Sequence, residues 1–197
     1  SVNNFDETDL ATVGGVISGF TSIDSDSYQA VFTAADGIET TGSVTVNATY
    51  TDFNGDPGLA GIDTVAIDTL NPTATVVLDA SSLSDNSNST SLIVTFSEGS
   101  VGFVAGDDLT VSGGTLGTGS FDGTGLIWSA TYTANDGFNG VGSVVLAANS
   151  YTDAVGNDGS GDSDTVSVDT VNPTVTSVVR ADADYTNAAT VDFTVTF

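Results

Sequence analysis

Cysteine, methionine, histidine and lysine do not occur in the 197 residues, and arginine occurs once, as Arg180. Without cysteine there is no disulfide framework and no thiol chemistry, so an exported chain of this kind needs another staple. Without histidine or lysine there is no Ser–His pair, no phosphate loop with its lysine and no Lys–Asn cross-link; no GxSxG nucleophile motif occurs either. Paired carboxylates could hydrolyse glycosides, but nothing singles out one pair, and catalysis finds no support. No apolar run approaches the roughly 20 residues of a membrane helix, and Ser1 does not open a signal peptide. The expectation is an interior piece of a longer, exported chain.

Aspartate and glutamate number 26, for a net charge of −25. Such a surface repels phosphate backbones and anionic headgroups, which argues against nucleic acid and membrane insertion. Its natural counter-charge is a cation. The chain is nevertheless no acidic tail, because 39% of its residues are hydrophobic and they recur in short regular runs.

Those runs repeat. DTVAIDTLNPT at 63–73 returns as DTVSVDTVNPT at 164–174, a shift of 101 residues. GSVTVNATYTDFNG from Gly42 answers GSVVLAANSYTDAVG from Gly142, YQAVFTAADG from Tyr28 answers WSATYTANDG from Trp128, and DLATVGGVI from Asp9 answers DLTVSGGTL from Asp108. A period of about 100 residues covering nearly the whole chain fixes the organisation before any local reading does.

Within a period the segments alternate apolar with polar, favour Val, Thr, Ile and Tyr, and are parted by Gly, Asn and Asp clusters. That is the pattern of half-buried strands in an all-β sandwich, about seven per repeat. In the complete repeat they fall near 74–79, 91–97, 107–112, 117–121, 126–133, 142–150 and 164–169. Three domains follow: 1–70, lacking its first two strands; 71–170, complete; and 171–197, the first two strands of a third. VTF at 195–197 matches VTF at 94–96, which equates Ser1 with Ser97. Either this is a window from a long array, or a protomer donates its last two strands to the open first domain of a neighbour.

DLTVSGGTLG, YTDAVGN and VDTVNPTVT together resemble the bacterial immunoglobulin-like repeats of giant secreted calcium-dependent adhesins and biofilm-associated surface proteins. The resemblance implies tandem immunoglobulin-like Greek-key β-sandwiches, a secreted, multi-repeat protein of the bacterial cell surface or extracellular matrix, and export through a dedicated secretion system.

In such a sandwich the incoming linker lands among the loops that follow the second, fourth and sixth strands. For the complete repeat that end collects Asp68 from the linker, Glu98 after the second strand, and Asp153 and Asn157 from TDAVGN. Three carboxylates and an amide oxygen are hard ligands suited to Ca²⁺. Asp107, Asp122, Asp158, Asp162 and Asp164 belong to the same end, and Asp36 lies on a turn of the preceding repeat. Asp52 and Asp56 are the equivalent pair of the first repeat, and Asp169 is the linker residue of the last. Taken singly these residues read as turn formers. Trp128 and Tyr28 share one repeat position and read as core or sheet-face aromatics, not a sugar platform.

The leading expectation is a non-enzymatic spacer or filament-forming repeat with domains held in line by Ca²⁺. Its partners would be neighbouring copies of the repeat, in cis or in trans. The alternative is an adhesin module binding a host or matrix glycan or protein through loops such as 18–27 and 117–127, which diverge between repeats.

Overall fold

The computed structural model describes residues 2–181, 187 and 189–197. Residues 182–186 and 188, within the expected third repeat, lie outside that description. The chain is almost wholly β-structure and divides into two compact units that cut across the sequence period. One comprises residues 1–73 with 98–102 and 151–160; the other comprises 74–97, 103–150 and 161–197.

The first unit carries β1 (Val2–Asn3), β2 (Leu10–Val13), β3 (Gly15–Ser22), β4 (Tyr28–Ala34), β5 (Glu39–Val46), β6 (Thr51–Asp52) and β7 (Gly61–Asp68). They form a three-stranded sheet in the order β2-β5-β7, a hairpin β3-β4, and a long-range two-stranded pair β1-β6. Phe5 packs on Phe20, Tyr28 and Tyr50, with Tyr28 in the role expected for it.

The second unit holds a full sandwich. Its strands are β8 (Ala74–Leu78), β9 (Ser82–Ser84), β10 (Ser89–Phe96), β11 (Leu109–Ser112), β12 (Gly114–Leu116), β13 (Ser120–Phe121), β14 (Ile127–Ala134), β15 (Asn139–Leu146) and β16 (Asp162–Asp169). One sheet runs β12-β14-β10-β8 with β13 also on β14, and the other runs β11-β15-β16-β9. Period-two alternation explains the core: Leu92, Val94 and Phe96 of β10 are buried while Ile93 and Thr95 face out. Tyr132, Val144, Leu146 and Val166, all at most 1% exposed, close the space between the sheets. Trp128 is buried edge-on to Phe103. A last antiparallel pair, β17 (Ser177–Arg180) with β18 (Phe193–Thr196), follows.

Several expected bounds shift for identifiable reasons. Of the strand placed at 117–121 only Ser120–Phe121 forms, as β13, with β12 ahead of it at Gly114–Leu116; in the gap Gly119 lies against the Trp128 ring, where a Cβ would stand 2.0 Å from Cζ2. The strand placed at 107–112 starts at Leu109, because Ala105–Asp108 forms a helical turn, α1, where buried Asp108 accepts from the Val104 N–H at 2.6 Å. The strand placed at 142–150 runs earlier, over β15, and the chain then turns through Asn149 at φ 62°. β9 was not expected; the chain leaves β8, changes sheet and pairs in parallel with β16, which covers that edge.

The expected equivalence of Ser1 with Ser97 falls on Ser1, which lies outside the described residues. The pairing Asn3–Thr51 in the first repeat matches Val101–Thr152 in the second. Asn4 and Gly102, next along, both adopt positive φ, at 62° and 82°. The two repeats therefore align there with Asn3 on Val101.

Candidate metal centre

Within the first compact unit, β7 ends at Asp68 and the segments 98–102 and 151–160 come together. Val101 and Thr152 exchange backbone hydrogen bonds at 2.7 and 3.0 Å, which fixes the two segments to each other. Buried Tyr151 donates from its hydroxyl to the Ser160 carbonyl at 3.1 Å, and Gly159 N–H donates to the Tyr151 carbonyl at 2.8 Å. The loop is thereby closed into a compact turn with Asp153 at its centre.

Asp153 is 2% exposed. Its Oδ1 accepts from the backbone N–H groups of Val155, Gly156 and Asn157 at 2.9, 2.7 and 2.9 Å. Burial pushes its pKa up, but these bonds and the Asn157 side chain outweigh it, so the carboxyl is held below the ordinary range. Asp153 is a carboxylate pre-set in its charged form.

One carboxylate oxygen from each of Asp68, Glu98 and Asp153 lies within 4.8 Å of the others. Glu98 carries the electrostatic cost: burial first, then the charges of Asp153, Asp68 and Glu39, raise its pKa. Three acids of one sign and one arrangement suit a hard divalent cation, which takes oxygen ligands in flexible geometry. In the same loop as Glu98, the Ser100 hydroxyl is buried without a hydrogen-bond partner among the described residues, a further oxygen left unclaimed.

Asn157 joins the cluster through its nitrogen. Nδ2 donates to Asp153 Oδ2 at 2.7 Å, to the Asp68 carbonyl at 3.2 Å and Oδ1 at 3.4 Å, and to the Leu70 carbonyl at 3.3 Å. All four neighbours are acceptors, so the amino group faces them, and Asn157 acts as a fastener where an amide-oxygen ligand was expected.

The remaining candidates are dispersed. Asp107 is exposed on α1 in the other compact unit, outside the triad. Asp162 and Asp164 are committed to β8, where their Oδ2 atoms accept from Val76 N–H at 2.7 Å and Leu78 N–H at 2.8 Å. Asp122 closes its own turn, with the Thr124 hydroxyl holding its pKa down. Asp158 and Asp36 are exposed. Asp52 accepts from Asn54 N–H at 2.7 Å and Asp56 N–H at 3.0 Å, reproducing the Asp153 turn without a carboxylate triad around it among the described residues. Asp169 accepts from Val171 N–H at 3.2 Å, as Asp68 does from Leu70 N–H at the same distance. Glu39, whose charge bears on Glu98, went unnoticed in the sequence because it sits on a strand of the other repeat with no turn motif around it.

The sandwich, the twofold period and the repeated Tyr–Thr–Asp turn agree with one comparison. The description of a bacterial Ig-like domain matches residues 1–67 and again 68–168. This chain belongs to that family. The Ig-like fold is typically non-catalytic, and membership supports a repeat of a bacterial surface protein in general. A search of curated proteins returns no match.

Proposed function

We propose that this bacterial Ig-like chain is a structural spacer or filament-forming repeat of a secreted adhesin or extracellular matrix protein, with Ca²⁺ at Asp68, Glu98 and Asp153 keeping successive repeats in line. The reading rests on the approach of those three carboxylates within 4.8 Å. Asp153 and Asp68 would ligate as charged oxygens, and Glu98, costly as a bare anion, would be the acid most relieved by the ion. Asn157 would hold the two aspartates at their separation. The linker that bears Asp68 and the loops that bear Glu98 and Asp153 would then move as one body.

The test is thermal unfolding in EDTA and in Ca²⁺. An ion bound only by the folded chain stabilises by about 2.7 kcal/mol at 100 times its Kd. We expect a higher Tm and slower proteolysis of the linker in Ca²⁺, both lost in E98Q. An unchanged Tm in Ca²⁺ would refute the role of the ion while leaving the structural reading of the repeat intact.

A further inference from the structure

In the complete repeat the chain turns at Gly113 and crosses from one sheet to the other, so that β11 ends one sheet and β12 ends the other. Ala147 N–H donates to the Asp108 carbonyl at 3.1 Å. By alternation, Thr110 and Ser112 direct their backbone groups to β15, and the N–H and C=O of Val111 turn to the outer edge. Among the described residues no strand pairs with that edge. Leu109 N–H is taken by the Ala105 carbonyl of α1, so the open stretch is centred on Val111.

Beside this edge lies a cleft of about 510 Å³, lined by Leu109, Val111, Leu116, Gly119 and Trp128, among others. An open strand edge beside an apolar cleft is a template for strand addition: backbone bonds hold the incoming segment and alternate side chains enter the cleft. Val111 stands opposite Val144, which is fully buried between the sheets. Side chains in that row point to the inner face, so a residue added opposite Val111 would turn its side chain into the cleft.

The internal repeat indicates which side chain suits it. Ser22 pairs with Tyr28 as Phe121 pairs with Trp128, so Phe20 of the first repeat answers Gly119 of the second. Phe20 stacks on Tyr28 with ring centroids 5.5 Å apart and planes at 13°. At Gly119 the complete repeat keeps the larger aromatic and supplies no ring from its own strand. Charge selects the flanks. Residues 109–121 carry no charge, exposed Asp107 stands just ahead of them, and the chain as a whole carries −25. An acidic segment is repelled and a basic one is drawn in.

We propose that β11 takes an extended peptide segment of a partner protein as an added antiparallel strand, with one aromatic side chain opposite Val111 seated against Trp128 and basic residues on either side of it. The two backbone bonds at Val111 hold the segment, and the cleft reads its aromatic residue. The contact needs no ion and stands apart from the calcium reading.

The test titrates the acetylated, amidated peptide KTVTFTVTK into the full chain in EDTA and follows the emission of Trp128, the only tryptophan. We expect a saturable change. Binding should weaken about tenfold or more when the central phenylalanine is replaced by alanine, and likewise when its amide nitrogen is methylated, which removes a strand bond. V111P should weaken it as much; the N–H it removes faces the outer edge, so the ladder to β15 is kept. Replacing both lysines of the peptide by glutamate should weaken binding at low salt. No saturable change into the millimolar range overturns the proposal. So does a methylated or alanine peptide that binds as tightly as the parent, a V111P chain with an unchanged near-ultraviolet spectrum and unchanged affinity, or a glutamate peptide equal to the lysine one. Should V111P fail to fold, the methylated peptide decides on the unaltered chain.

Discussion

Val65 and Val166 occupy the same position of successive repeats, on β7 and β16, yet Val65 is 49% exposed and Val166 is 1% exposed. The difference is the cover that β8 and β10 provide in one repeat and not in the other. V166A should therefore cost about 1–3 kcal/mol through lost burial and a cavity. V65A should stay within about 0.5 kcal/mol. Urea unfolding of the two variants checks the contrast.

Between β12 and β13, Gly119 lies against the Trp128 ring, where any Cβ collides at 2.0 Å. G119A should cost about 1–3 kcal/mol by overpacking and alter the tryptophan fluorescence. G123A, in open space, should leave both within error.

Tyr151, 1% exposed, anchors the Asp153 loop through its hydroxyl on the Ser160 carbonyl at 3.1 Å. Y151F should lower stability by about 1 kcal/mol and weaken any ion binding at Asp153, read by unfolding and by calcium titration of the same variant.

The ionisation of the triad sets a pH dependence without metal. Glu98 has a raised pKa in the fold, so its contribution to stability is present below the ordinary glutamate value, about 4.3, and is lost as pH rises through the raised value. Asp153 has a lowered pKa, so its contribution is present above the ordinary aspartate value and lost as pH falls through the lowered one. Melting in EDTA should show Tm declining from weakly acidic toward neutral pH. E98Q should flatten that decline and melt higher than the unaltered chain at neutral pH.

Much of this was legible in the residues. The repeat of DTVAIDTLNPT as DTVSVDTVNPT fixed the period, and the alternation of Leu92, Val94 and Phe96 fixed the inward face of β10. The meeting of Asp68, Glu98 and Asp153 followed from which strand ends share one end of a sandwich. Side-chain direction was not legible. Whether Asn157 offers oxygen or nitrogen depends on four acceptors drawn from two segments, and Asp162 and Asp164 turn to β8 because its N–H groups lie beside β16. β9 escaped because three residues, Ser-Leu-Ser, carry no periodicity, and their partner β16 lies far along the chain.

The most direct measurement is isothermal titration of the metal-stripped 197-residue chain with Ca²⁺, beside E98Q. The account predicts saturable binding that releases protons at weakly acidic pH, as Glu98 gives up its proton, and that is lost in E98Q. No saturable heat, or binding equal in the two chains, would contradict it.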